Sequence, residues 1–275
     1  MEHTQLENSD NKARITITLR QSLLPLLDRF IDGDRIRNRS HAIEYILSQN
    51  LGLGMNTAVF LAGSDERGIV DAMRMVSGKP GIAWTLDMLR NAGVRSVILV
   101  IDEHGSELKN YVGEGAQWKM KVTYVKDSDK KGTAHALGLV KPLVDESFLL
   151  IYGDILSKIS LGDFVENHQE NEAVGTVALT YSASISDFGV ARMQGSQIVD
   201  YTEKPGQDAQ HGLVNAGMYI FEPQIFQFLD GAESLERDVL PTVAKAGQLS
   251  GYPFDAAWYD LSNQKDLATA NLNWK

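Results

Sequence analysis

FLLIYGD, residues 148–154, is an unbroken apolar run of strand length that ends in a glycine and a carboxylate. A strand without polar alternation is buried on both faces, as in the parallel sheets of α/β proteins. An acidic group at the carboxyl end of a central strand lies where open α/β sheets bind ligands, and its oxygens suit Mg²⁺. Gly153 leaves room there for a close approach. The competing assignment makes Asp154 only the cap of the next turn.

Outward from this run, strands alternate with helical spacing. Residues 57–61, 96–101 and 121–125 read as strands, and 82–92, 107–112 and 133–140 as the helices between them. That order predicts a doubly wound, mixed sheet of Rossmann-like α/β class. Beyond the central strand the pattern gives a helix at 161–167, a strand at 174–180, and β segments at 188–194, 198–201 and 214–221. Three short helical stretches near Gln224, Glu236 and Asp266 finish the chain.

A length of 275 residues, 43% of them hydrophobic, fits one large or two unequal folded domains. The absence of cysteine excludes disulfides, thiolate metal sites and cysteine nucleophiles. With no apolar segment of membrane-spanning length and no signal core, a cytoplasmic protein without a membrane partner is expected. The formal charge of −10 is unevenly spread. Residues 11–50 carry a surplus of three positive charges, so a nucleic-acid partner is open only to this segment.

After a polar tail at 1–12, expected to be disordered, residues 13–19 alternate strictly. Ile15, Ile17 and Leu19 face one way and Arg14, Thr16 and Thr18 the other. Leu23, Leu24, Leu27, Phe30 and Ile31 follow helical spacing, and a second helix is expected from the cap Asn38 to Gly52. So small a unit buries little, and its one strand has no partner, so two copies pairing antiparallel would supply both. Residues 13–51 resemble the ribbon-helix-helix family of dimeric DNA-binding proteins. The resemblance implies base reading by Arg14, Thr16 and Thr18, and phosphate clamping by Asn38, Arg39 and Ser40. It also implies double-stranded DNA as partner and a homodimer through the strand, with a tetramer left open. The plainer alternative is a unit that only dimerises its neighbour. A hinge at 52–56 then leads to the domain at 57–275.

In that domain short motifs recur in a fixed order: GKP at 78–80, NAGV at 91–94, GTA at 132–134, GD at 153–154 and FGV at 188–190. EKP at 203–205, NAG at 215–217, LERDVLP at 235–241 and a WYD ending at Asp260 follow. Together they resemble the sugar-1-phosphate nucleotidyltransferases, whose nucleotide-diphospho-sugar transferase-like fold is thereby expected. The resemblance implies Mg²⁺ on Asp154 and Asp260 where a nucleotide is bound, and Lys204 on the sugar phosphate with Glu203 on the sugar. Asn215 and Gly189 would make further sugar contacts. Gly132, Thr133, Gly63 and Arg67 would lie along the nucleotide.

The front of the domain departs from the family. The loop after the first strand reads LAGSDERGI, residues 61–69, with Ser64, Asp65 and Glu66 where small glycines cradle phosphate. The place of the usual lysine falls at Asp71, only Arg67 stands in for the usual arginine, and the base-reading glutamine gives way near Asp127. Two functions follow. The first is a DNA-binding transcriptional regulator whose second domain senses a sugar phosphate, nucleotide or nucleotide sugar without joining them. The alternative is an active Mg²⁺-dependent sugar-1-phosphate nucleotidyltransferase, with Arg67, Arg74 or Lys79 replacing the lost cations and the N-terminal unit used for dimerisation or autoregulation. A scaffold with a vestigial pocket is a third.

Overall fold

The computed structural model describes residues 16–33, 36–51, 54–182, 185–206 and 211–275. The expected tail at 1–12, Arg14 and the start of the N-terminal strand lie outside them. Contacts divide the chain into two units, Met1–Leu47 and Ser48–Lys275.

In the first unit a 3-10 turn, Gln21–Leu23, leads into a helix at Leu24–Asp28, with Pro25 tolerated in its first turn. A second helix covers Arg39–Leu51. Among the described residues, 16–20 pair with no strand. Asn38 caps the second helix, its side-chain oxygen accepting the amide of His41 at 3.0 Å. The Arg39 guanidinium is held by both carboxylate oxygens of Asp28, at 2.8 and 2.9 Å.

The second unit is the expected mixed α/β domain. Its strands are β1 (Thr57–Leu61), β2 (Met75–Val76), β3 (Lys79–Pro80), β4 (Ser96–Ile101), β5 (Lys121–Lys126), β6 (Phe148–Tyr152) and β7 (Ile155–Ser157). They continue as β8 (Gly175–Ser182), β9 (Gly189–Gln194), β10 (Gln197–Glu203), β11 (Gly212–Phe221), β12 (Leu249–Pro253) and β13 (Trp258–Asp260). Among the described residues nine of these form one sheet in the order β5-β4-β1-β6-β11-β8-β12-β10-β9. The half from β5 to β6 is parallel, and β11 runs antiparallel to β6 and turns the sheet into its second half.

Phe148, Leu149, Leu150 and Ile151 are all fully buried, as an apolar run without alternation requires. Leu149 and Ile151 join the core on one face of the sheet with Phe60 and Leu86. Phe148 and Leu150 join the other with Val59, Leu137 and Phe221. Helices Gly81–Asn91 and Thr133–Gly138 cover opposite faces, so β1 and β6 are enclosed from both sides.

One buried polar chain ties a helix to the sheet. His168, on helix Leu161–Asn171, has Nδ1 at 2.7 Å from the Thr176 hydroxyl and Nε2 at 3.0 Å from Glu222. Thr176 in turn meets Ser250 at 2.6 Å, tying the helix to β8 and β12. Burial lowers the His168 pKa below its ordinary value, although Glu222 pulls the other way. A histidine with a depressed folded pKa supplies stability above its unfolded pKa of about 6.5 that is lost as pH falls below it. Replacing His168 by Ala leaves Thr176 and Glu222 short of a partner and should cost about 1–3 kcal/mol in urea unfolding at pH 8. That gap between wild type and variant should narrow on acidification below about pH 6.5.

Candidate active site

Because β1 pairs in parallel with β4 and β6, residues Leu61, Val100 and Tyr152 stand level. The chain leaves each strand at the same edge of the sheet. There a cavity of about 310 Å³ is lined by Gly63 and Ser64 after β1, Asp102 after β4, Asp127 after β5, and Gly153 and Asp154 after β6. A second cavity, of about 510 Å³, is lined by Gly189, Glu203, Lys204, Asn215, Glu236, Arg237 and Asp260. The two share Gly132, Thr133, Tyr152 and Asp154. One molecule in each would meet at Asp154.

Asp154 has an oxygen, Oδ1, that is buried with no hydrogen-bond partner. Burial, then the negative charge of Asp260 with smaller effects of Asp71 and Glu236, pushes its pKa up to about 7. Strand β7 follows Asp154 and pairs with β13, which carries Asp260 opposite Ile155. The Leu261 amide donates to the Asp154 carbonyl at 2.7 Å, closing the pair. An orphaned carboxylate oxygen close enough to a second carboxylate to feel its charge suits a hard divalent cation, so the donor set fits Mg²⁺.

The larger cavity is held by hydrogen bonds among an amide, three phenols, two hydroxyls and one carboxylate. Asn215 donates its amide to the Tyr201 and Tyr219 hydroxyls at 3.0 and 2.6 Å and accepts the Gly217 amide at 3.0 Å. Tyr152 donates to Glu236, whose other oxygen accepts from Thr133 at 3.0 Å and Ser234 at 2.7 Å. Burial raises all three tyrosines well above the ordinary phenol value, so they stay protonated. Glu203 is raised by burial and by Glu236, against the lowering effect of Lys204 and Arg237. Lys204 sits in the left-handed region, φ 48°, a strained conformation for a non-glycine residue that its amide bond to the Phe188 carbonyl helps to hold.

The front loop is knit by its own side chains. Ser64 donates its amide and its hydroxyl to Asp102 Oδ2 at 2.8 and 2.7 Å. Asp65 accepts the amides of Arg67 and Ile69, both at 2.9 Å. Burial alone would raise the Asp102 pKa, but hydrogen bonds from Ser64, Lys130 and the His104 amide outweigh it and hold the group well below the usual carboxylate range.

Of the residues singled out in the sequence, Gly63 lines the smaller cavity, Gly189, Glu203, Lys204, Asn215 and Asp260 the larger, and Gly132, Thr133 and Asp154 both. Arg67 does not line either, and its exposed guanidinium pairs with Asp65 at 2.7 Å. Two glycines have reasons the sequence did not give. A Cβ on Gly132, φ 104°, would lie 2.3 Å from the Glu233 carbonyl, and one on Gly153 would press on the backbone of Leu61 and Ala62 at 3.1 Å. Both allow backbone to approach backbone. Sequence reasoning missed Tyr152, Glu236, Arg237, Asp102 and Lys130 as cavity residues. The LERDVLP motif was the available signal for Glu236 and Arg237.

The family model for nucleotidyl transferases matches residues 71–275, and the chain belongs to this family. The match starts at Asp71, past the altered loop. A probable glucose-1-phosphate cytidylyltransferase of Bacillus subtilis is 27% identical over 227 residues, covering 74% of this chain and 87% of that protein. The catalytic subunit beta of a Danio rerio mannose-1-phosphate guanylyltransferase is 28% identical over 198 residues, 70% of this chain and 55% of its own length. Many of the relatives are thus longer than the part matched here. Among solved structures, UDP-glucose pyrophosphorylase complexed with UDP-glucose superposes with a TM-score of 0.72 at 22% identity, covering 80% of this chain and 98% of that one. HddC of Yersinia pseudotuberculosis superposes at 0.70 and 21% identity, covering 80% of this chain and all of its own.

These relatives correct the first functional expectation. They are sugar-1-phosphate nucleotidyltransferases, which points to the enzyme alternative and away from a transcriptional regulator with double-stranded DNA as partner. The residues assigned to DNA all belong to the N-terminal segment, before the residues that the family model matches. Arg39 is paired with Asp28, Asn38 caps the helix, Ser40 lies in its first turn, Thr16 and Thr18 lie on a segment that pairs with no described strand, and Arg14 is outside the described residues. Among the described residues no helix is long and apolar enough to cross a membrane.

A raised carboxylate pKa means that ionising Asp154 opposes folding as pH climbs from about 4 towards 7. In magnesium-free buffer at pH 8, Asp154→Asn should therefore unfold later than wild type, by about 1–3 kcal/mol, with the difference gone near pH 4. Urea melts at the two pH values check this.

Proposed function

We propose that the chain is a Mg²⁺-dependent sugar-1-phosphate nucleotidyltransferase. The observation that carries the reading is the meeting of two cavities at Asp154, whose buried oxygen has no protein partner. A phosphate oxygen of the sugar phosphate attacks the α-phosphorus of a nucleoside triphosphate. A new oxygen–phosphorus bond forms, the α–β bridging bond breaks, and pyrophosphate leaves with its electron pair.

Lys204 and Arg237 line the larger cavity and supply the positive charge a sugar phosphate needs, while Glu203 and Asn215 offer polar groups to its hydroxyls. Asp154 and Asp260 would hold the metal ion, which neutralises charge on the reacting phosphates. The phenol–amide network behind Asn215 fixes that residue before any ligand arrives, which limits the ordering cost of binding. The cation lost at Asp71 leaves the nucleotide side less positive than the sugar side.

The N-terminal unit joins two copies in this reading. Ile17, Leu19, Leu26, Phe30, Tyr45 and Leu47 are each 38–46% exposed there. So much apolar surface on a unit of fewer than fifty residues favours a second chain covering it.

Purified protein should release pyrophosphate from some pairing of a nucleoside triphosphate with a sugar 1-phosphate in Mg²⁺, and Asp154→Asn should lower kcat by about 10²-fold or more. Lys204→Ala should raise KM for the sugar phosphate about tenfold or more with less change for the nucleotide. Silence across a panel of pairings would sink the proposal. Light scattering should give a dimer that Ile17→Asp with Leu19→Asp converts to monomer.

A further inference from the structure

The smaller cavity poses a charge problem. Asp71, Asp102, Asp127 and Asp154 line it, and Lys130 is the one cation among its lining residues. The three other candidates do not line the cavity, and Arg74 already answers the charge of Asp71. Arg67 pairs with Asp65, Arg74 with Asp71 at 2.8 Å, and Lys79 with Asp87 while lying 3.7 Å over the Trp84 ring. A nucleoside triphosphate brings several negative charges to a cavity already lined by carboxylates, and each one left without a cation is costly.

Resting on the nucleotidyltransferase reading, we propose that Lys130 binds the phosphates of the nucleoside triphosphate and that its contacts in the ligand-free chain are a clasp it leaves to do so. Its Nζ lies 2.9 Å from Asp102 Oδ2, 3.1 Å from Glu103 Oε1 and 3.3 Å from the Ser64 hydroxyl. An ammonium has three donors, and phosphate oxygens can take over all three.

The exchange strands neither partner. When Lys130 leaves, Asp102 keeps the amide and hydroxyl of Ser64 and the His104 amide at 2.9 Å. Glu103 is half exposed and returns to water. The pivot itself is fixed. Lys130 has φ 49°, and its amide, with that of Asp129, donates to Asp127 Oδ1 at 3.0 and 3.1 Å. A flexible side chain on a pinned backbone can move its charge by several ångströms without moving the loop. The same clasp ties the front loop to the segment before Gly132, so releasing it couples arrival of phosphate to both rims of the cavity.

The test is calorimetric titration of the full chain with ATP, CTP, GTP, UTP and thymidine triphosphate in Mg²⁺, and with the corresponding monophosphates. Lys130→Ala should weaken the best triphosphate tenfold or more and its monophosphate less than twofold. Lys130→Arg should recover most of the loss. Lys131→Ala, whose residue pairs with Asp129 on the surface, should change neither. Should Lys130→Ala melt early, Lys130→Gln replaces it. Unchanged triphosphate affinity, or equal loss for mono- and triphosphate, overturns the role of Lys130 while leaving the enzyme reading intact. A wild-type chain that binds no triphosphate overturns both.

Discussion

Parallel pairing of β1 with β4 on one side and β6 on the other is the constraint from which the site follows. It brings the ends of strands distant in sequence level at one edge, and the exits are then locked by backbone bonds. Ala62 donates to Val100, Gly153 to Leu61 and Asp127 to Ile101, at 2.8–2.9 Å. Three aspartates, 102, 127 and 154, are thereby set along one rim. Like charges so placed repel, and each must be relieved by hydrogen bonds, by a cation or by taking up a proton. Asp102 takes the first two routes, and Asp154, whose Oδ1 has no partner, leans on the third, its pKa pushed up to about 7.

The two cavities solve positioning differently. On the larger side, an amide, phenols and hydroxyls form a connected chain from Asn215 through the tyrosines to the Glu236 carboxylate and Thr133, which fixes the walls. The Leu235–Val239 segment is a short π-helical turn, a form common at functional sites, and it points Glu236 and Arg237 into the cavity lining. On the smaller side, the polar contacts involve charged groups that a phosphate can rival.

Much of this was legible in the sequence, and the losses have physical causes. Continuous apolar runs marked β1, β4 and β6 because burial on both faces forbids polar alternation. Strand β12 escaped notice since LSGYP holds a glycine and ends in proline, residues that speak against a strand. Strands β7 and β13 have three residues each and exist only through their mutual pairing, which no local pattern records. The motif order exposed Asp154, Lys204 and Asn215, the first two beside a glycine or proline at a strand end and the third inside β11 two residues before Gly217. Asp102 and Lys130 lacked such a marker, because their meeting depends on β4 lying beside β5. In the N-terminal segment, alternation and positive charge suggested a DNA face, yet those features equally describe an apolar strand seeking a copy of itself. The enzyme relatives decide against DNA.

The altered front loop is the sharpest departure from its family, and its geometry explains how it survives. A glycine-rich loop offers free amides and little else, so bound phosphate must organise it. Here Ser64 anchors one end to Asp102, and Asp65 turns the other by accepting the amides of Arg67 and Ile69. The amides of Asp65, Arg67, Gly68 and Ile69, which could have faced phosphate, are spent inside the loop, so its own hydrogen bonds set its course. What was surrendered is positive potential, and the nearest replacement comes from across the cavity, on the segment leading to Gly132, rather than from the loop itself. Residues 61–69 therefore shape the rim while the charge is carried by another element, a division that leaves the architecture of the family intact around a rewired phosphate side.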